Sequence, residues 1–187
     1  MTDASEVTLE AAGPENASLL ANLLELYVHD LGEIFPVAIG ADGRFGYEWL
    51  PLYWSEPGRR FPFLIRVRGQ LAGFVLAMRG SPATDDPDDF DVAEFFVLRG
   101  HRRDGVGGHA AFLLWDRLPG RWIVRVSEAN RAGLLFWRRT VDAFARGSFS
   151  ETGRAGSPHG WRVFTLRSDG QGANALEVRG DDGHSCA

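Results

Sequence analysis

The chain has 187 residues, 44% of them hydrophobic and 24% charged, with a net charge of −5; one compact domain is the expectation, and a disordered chain is excluded. All 20 basic residues are Arg, which excludes Schiff-base chemistry on a lysine, pyridoxal phosphate included, and the phosphate-binding lysine of a P-loop. The single Cys, Cys186, excludes an internal disulfide and an iron–sulfur cluster.

The five His, at 29, 101, 109, 159 and 184, fall into no HExxH or other tight ligand spacing, and no GxSxG elbow occurs, so metalloprotease and α/β-hydrolase chemistry lose their support. No basic stripe with interleaved aromatics argues for nucleic acid. No stretch approaches the roughly 20 apolar residues of a membrane span, and MTDASEVTLE lacks the order of a signal peptide. The expectation is a soluble, cytoplasmic protein with no nucleic-acid or membrane partner.

Val7 to Ala11 reads as a short strand, and Gly13-Pro14 as the entry to a helix with Pro in its first turn. Leu19, Leu20, Leu23, Leu24, Tyr27 and Leu31 recur at three and four, the period of one buried helix face. Residues 32 to 60 are irregular and aromatic, with a short helix near 47 to 54 that Pro51 disfavours. Phe61 to Val67 and Leu71 to Met78, joined by Arg68-Gly69-Gln70, form a hairpin. Five Asp between 85 and 91 follow; they read as a solvated loop rather than a calcium site, since the prolines and the missing glycine and terminal glutamate spoil an EF-hand.

The second half alternates: a strand from Val92 to Leu98, a helix from Val106 to Arg117, a strand from Trp122 to Ser127, a helix from Ala129 to Arg139, then strands at Ala143 to Phe149 and Trp161 to Arg167. This order indicates a mixed α/β sheet. Residues 1–168 are expected to be one domain, and the Gly- and Asp-rich residues 169–187 a disordered tail.

Chemistry concentrates in residues 94 to 118, where a β-type run passes through a basic, glycine-rich turn into an amphipathic helix. Gly100, Gly105, Gly107 and Gly108 let backbone approach a ligand, and the first amides of a helix have no intrahelical partner. With Arg99, Arg102 and Arg103 beside it, such a turn is a candidate phosphate site, the helix dipole adding about 0.3–2 kcal/mol. An ordinary βα turn needing Gly for tight packing is the alternative. A pyrophosphate wants several convergent N–H groups, and side chains at 105, 107 and 108 would block its approach. A Rossmann fingerprint is not present.

Arg102-Arg103-Asp104-Gly105-Val106-Gly107 resembles the R/Q-x-x-G-x-G/A signature of the GNAT superfamily of N-acetyltransferases, with Val97 five residues before Arg102 as that pattern requires. Asn130-x-x-Gly133-x-x-x-Trp137 is similar to the family's N-x-x-A-x-x-x-Y. The matching core covers about residues 61 to 141, and within the family the chain looks most like a bacterial group of predicted acetyltransferases. The resemblance implies the GNAT fold, a mixed, mostly antiparallel sheet of six to seven strands flanked by helices. It also implies acetyl-CoA as acyl donor, no metal, and transfer to a primary amine of a small molecule or peptide. A non-catalytic acyl-CoA-binding or regulatory module of the same fold is the alternative, and a homodimer stays open.

Residue by residue, the resemblance implies that backbone groups at Val97 and Leu98 pair with the pantetheine arm. The stretch Arg102, Arg103, Asp104, Gly105, Val106, Gly107 and Gly108 would hold the pyrophosphate. Glu94 is the candidate base, on one face of its strand with Val92, Phe96 and Leu98, where desolvation raises a carboxyl pKa; a structural carboxylate paired with Arg is its other reading. Trp137 stands where many members carry the Tyr that protonates the thiolate, and indole is too weak an acid for that. Trp137 therefore reads as a wall of the cofactor channel and Phe136 as core. Water or a Tyr between 27 and 53 could serve as donor, or the thiolate could leave unassisted. Asn130 either orients the cofactor or caps a helix. Asp30, Glu33, Tyr47 and Trp54 fall where the family shapes its acceptor pocket, although a solvated helix end explains the two carboxylates and is the preferred reading of them.

Overall fold

The computed structural model describes residues 6–156 and 159–170; the predicted tail, apart from residues 169 and 170, lies outside them. Seven strands form one sheet in the order β1-β2-β3-β4-β5-β7-β6. They are β1 (Val7–Ala11), β2 (Arg60–Val67), β3 (Gln70–Arg79), β4 (Phe90–Val97), β5 (Gly120–Ser127), β6 (Ser150–Arg154) and β7 (Trp161–Ser168). Only β4 and β5 run parallel. Such a pair needs a crossover, which α3 (Val106–Arg117) supplies. The other helices are α1 (Ala17–Leu31), α2 (Leu52–Ser55) and α4 (Arg131–Ala145).

The central strands read as unbroken apolar runs because both their faces are covered. In β2, Phe63, Ile65 and Val67 face the core under α3 and α4, with Val106, Ala110, Leu114, Trp115 and Val141. Leu64 faces the opposite core with Phe74 and Leu76, under Leu20, Leu23 and Leu24 of α1 and Tyr53 of α2. The hairpin between β2 and β3 turns on Arg68 and Gly69, both at positive φ. The 3–4 spacing of α1 buries the expected face, and Pro51 precedes α2 rather than preventing it, since Pro is tolerated at a helix start.

Three expectations are corrected. The strand placed at Ala143 to Phe149 is not one: α4 runs on to Ala145 because Leu134, Trp137, Val141 and Phe144 continue a 3–4 repeat against the core. It stops where Arg146 and Gly147 turn left-handed, and the strand that follows, β6, is short and largely exposed at the sheet edge. The acidic loop is only half solvated. Asp85, Asp86 and Asp88 are exposed, but Asp89 and Asp91 are buried against Arg121 and Arg125 of β5.

The third correction concerns β4. Its register with β3 slips between Leu76 and Ala77, which pair with Glu94 and Val92 and leave Ala93 as an extra residue. A bulge reverses the alternation of side chains beyond it. Val92 therefore joins the α3–α4 core, whereas Phe96 and Leu98 join the α1–α2 core. Glu94 shares a face with Phe96 and Leu98 but not with Val92.

No helix among the described residues is long and apolar enough to cross a membrane. Among them no group of three or more His, Cys, Asp or Glu is placed to hold a metal ion.

Candidate active site

The parallel ladder between β4 and β5 comprises three pairs, Phe90 with Trp122, Asp91 with Ile123 and Val92 with Val124. Beyond it the two strands separate. The Leu98 amide donates to Ala72 O of β3 at 2.8 Å and its carbonyl accepts from the His101 amide, so the backbone of Leu98 is already engaged. Alternation then turns the backbone groups of Phe95 and Val97 towards the gap. Phe95 was not anticipated, and of the predicted pair Val97 alone faces the gap, its carbonyl accepting from Arg102 Nε at 2.7 Å.

A 3-10 turn, Arg99–His101, leads from β4 towards α3. Arg103 and Gly105 lie at φ 71° and 83°, and α3 begins with no side-chain cap. The first backbone bond of the helix runs from the His109 amide to Gly105 O at 3.1 Å. The amides of residues 103–108 have no backbone acceptor among the described residues. Uncapped amides at the start of a twelve-residue helix are free to receive an anion.

The predicted loop residues divide by what they do there. Val106 is 1% exposed, so it can offer only its amide while its side chain anchors α3 in the core. Gly108 and Gly100 face open space, whereas a Cβ on Gly107 would come within 3.1 Å of the Phe136 ring. Gly107 thus answers to the packing of α3 on α4, and Gly108 is the position where a side chain would stand in the open. Arg103 and Asp104 are exposed.

Arg99 and Arg102 are turned to Asp30, at the end of α1, at 2.8 and 2.6 Å. Burial alone would push the Asp30 carboxyl up, but the hydrogen bonds from the two guanidiniums outweigh it and hold it below the usual range. Asp30 is therefore paired with Arg99 and Arg102, and Glu33, 76% exposed, lies 3.5 Å from Arg99.

On the α1 face of the gap, Glu94 accepts hydrogen bonds from the hydroxyls of Tyr27 at 2.6 Å and Tyr47 at 2.9 Å. Burial raises its pKa above the ordinary 4.5; the two hydroxyls and the charge of Arg125 pull it down, and Asp91 pushes it further up. Tyr27, Tyr47 and Tyr53 are all held above their ordinary values, by burial first and then by the negative charge of Glu94. These are all three tyrosines of the chain. Below them Arg125 donates to both oxygens of Asp91, at 2.8 and 2.9 Å, and Ser81 donates to Asp91 as well. Burial disfavours the Arg125 charge, but its bonds to Asp91 outweigh this and raise its pKa. A carboxyl with a raised pKa beside a gap between strands can take up a proton nearer neutrality than a solvated one.

Of the remaining predicted residues, Asn130 caps α4, its Oδ1 accepting from the Gly133 amide at 2.8 Å. A Cβ on Gly133 would meet that side chain at 2.6 Å, so the glycine belongs to the cap. Trp137 is 7% exposed in an aromatic cluster with Phe95, Trp115 and Phe136. The half-buried Phe136, and not Trp137, stands against Gly107 at the start of α3. Trp54 is half-buried on α2, packed against the α1–α2 core with its indole donating to Ala12 O at 3.1 Å. Sequence reasoning offered Tyr27 and Tyr53 only as candidate proton donors to the thiolate and as apolar packing, not as partners of Glu94, and it missed Asp91 and Arg125. The burial of Asp91 was hidden in an acidic run.

No protein-family model matches the chain, and no curated protein matches its sequence. Solved structures do. An acetyltransferase from Thermus thermophilus superposes with a TM-score of 0.63 at 19% identity, over 89% of this chain and 98% of the other. Spermidine N-acetyltransferase from Vibrio cholerae, in complex with CoA and spermine, gives 0.61 at 12% identity, over 88% and 96%. AAC(6')-Ib in complex with ribostamycin and coenzyme A gives 0.62 at 14% identity, over 95% and 99%. The chain has the fold of the GNAT acetyltransferases, as the resemblance over about residues 61 to 141 implied.

Proposed function

We propose that this chain is an acetyl-CoA-dependent N-acetyltransferase acting on a primary amine of a small molecule or peptide. The observation that carries the reading is a juxtaposition: unpaired amides at the start of α3 open on one side of the β4–β5 gap, and a tyrosine-bound Glu94 stands on the other. The fold shared with structures holding CoA supports it.

The residues fit the donor. Amides 103–108 suit a pyrophosphate, Gly108 leaves the approach open, and the gap-facing edge of Phe95 and Val97 suits an extended amide-bearing arm. Acetyl-CoA, when bound, supplies the activated acetyl group. An alkyl amine titrates near 10 and attacks only when neutral, so the chain must take a proton from the acceptor nitrogen. Glu94 does this, directly or through one water, and its raised pKa keeps it effective near neutrality. Tyr27 and Tyr47 hold the carboxylate in place. Buried and raised in pKa, they act as hydrogen-bond donors rather than as acids.

The test is release of free thiol from acetyl-CoA over a panel of primary amines, with the product identified by mass. Amine-dependent release with an acetylated product is expected. CoA binding without release, whatever the amine, would favour the non-catalytic module instead.

A further inference from the structure

Tyr47 reaches Glu94 from a segment with almost no regular structure, residues 32–51, so something must hold it there. Its anchor lies on α1, two residues before Tyr27. The Glu25 carboxylate of α1 accepts from the Phe45 amide at 2.7 Å and from the Gly46 amide at 3.2 Å, the two residues immediately before Tyr47. Gly46 takes φ 73°, which turns the chain there, and the ring of His29, one turn beyond Glu25, packs edge-on against Phe45 at 6.3 Å. Both amides go to one carboxylate, and each would otherwise have only solvent.

We infer that Glu25 is a positioning residue: it pins the Phe45–Gly46 turn to α1 and thereby places the Tyr47 hydroxyl on Glu94. The inference rests on the reading of Glu94 as the base. Helix α1 then serves Glu94 twice, directly through Tyr27 and at one remove through Glu25 and Tyr47. The groups that face Glu94 are Tyr27 of α1, Tyr47, Tyr53 of α2, Asp91 of β4 and Arg125 of β5. Of these, Tyr47 is the one carried on the segment that Glu25 holds. A hydrogen bond to a carboxylate favours its charged form, so releasing Tyr47 raises the pKa of Glu94.

The experiment is a carbon-13 NMR titration of the Glu94 carboxyl in the full chain, which needs no turnover. The variants are Tyr47→Phe, Glu25→Ala, Glu25→Gln and the double Glu25→Ala/Tyr47→Phe. Tyr47→Phe is expected to raise the midpoint by about one pH unit. Glu25→Ala should raise it in the same direction, and the double variant no further than Tyr47→Phe alone, because both changes remove one interaction. Glu25→Gln keeps one acceptor oxygen and should give a smaller rise; if Glu25→Ala does not fold, this variant decides. A Glu25 variant that leaves the midpoint at the wild-type value, or shifts that add in the double variant, would overturn the inference. A midpoint that moves as expected in a protein showing no amine-dependent thiol release would uphold the positioning role while removing the acetyl-transfer reading.

Discussion

On the donor side of the β4–β5 gap the polar groups are backbone amides from one short stretch, residues 103–108. On the other side they are side chains drawn from positions 27, 47, 53, 91 and 125, carried on α1, a loop, α2, β4 and β5. The first side depends on backbone shape and on what leaves room for it, so most of its side chains are replaceable. The second depends on the identity of each side chain and on the packing that brings distant segments together. A local site and a dispersed one thus meet at a single gap, and they should fail in different ways.

The largest expected effect is on the donor side. Gly108→Glu puts a carboxylate into open space beside the unpaired amides without a steric clash. It should lower CoA affinity by about a hundredfold, on the order of 3 kcal/mol, with the melting temperature little changed. Gly107→Glu would instead collide with Phe136 and damage the packing of α3 on α4. Calorimetric titration with CoA alongside thermal unfolding separates the two, and an unchanged affinity in folded Gly108→Glu would remove the anion site from the account.

Trp137→Phe tests whether the aromatic cluster belongs to the core or to the chemistry. With the ring 7% exposed and packed on Phe95, Trp115 and Phe136, the smaller side chain should cost about 1–3 kcal/mol of stability through an unfilled volume. Acetyl transfer should stay within a few-fold. A thousandfold loss of kcat in a protein of undiminished stability would assign Trp137 to the reaction.

A smaller effect lies in the pH dependence of stability on the Glu94 side. Burial raises the folded-state pKa of Glu94 above 4.5, so across that interval the folded chain binds more protons than the unfolded one. Stability from this group is then complete below the unfolded value and falls as pH rises to the folded value. Glu94→Gln lacks this dependence. The melting temperature of Glu94→Gln minus that of wild type should therefore climb from about pH 4 upwards and level off above the folded midpoint of Glu94. A difference that stays flat, or falls, would mean that burial does not govern this carboxyl. Asp30, whose pKa shift has the opposite sign, is present in both proteins and cancels.

The contrast between the two sides also explains what could be read from the chain. The start of α3 at Val106 and the glycine-rich turn before it were legible because turn and helix signals are local. The face of α1 and the β2–β3 hairpin were legible for the same reason. Glu94 could be singled out as a carboxylate in an apolar strand, and alternation placed Phe96 and Leu98 on its face, but its hydrogen-bond partners could not be read. The bulge at Ala93, invisible to an alternating pattern, moves Val92 to the other face. Charge was misread wherever a partner lay far along the chain. Asp30 read as the solvated end of a helix, with a cationic substrate as the weaker alternative, until Arg99 and Arg102 came to it from 69 and 72 residues away. Asp91 looked solvated until Arg125 closed on it. The end of α4 was misjudged because Ala143 to Phe149 carries apolar residues that suit a strand, and only the helix continuing from Trp137 decides between them.

The central claim, that Glu94 takes the proton of the attacking amine, is tested most directly by the pH profile of kcat/KM for wild type and Glu94→Gln with an acceptor found in the amine panel. The account predicts a fall of roughly 10²–10⁴-fold in the variant. It also predicts loss of the acidic limb and partial recovery at high pH, where solvent deprotonates the amine unaided. Activity within a few-fold of wild type, with the acidic limb unmoved, would contradict it and make Glu94 a structural carboxylate held between two tyrosines.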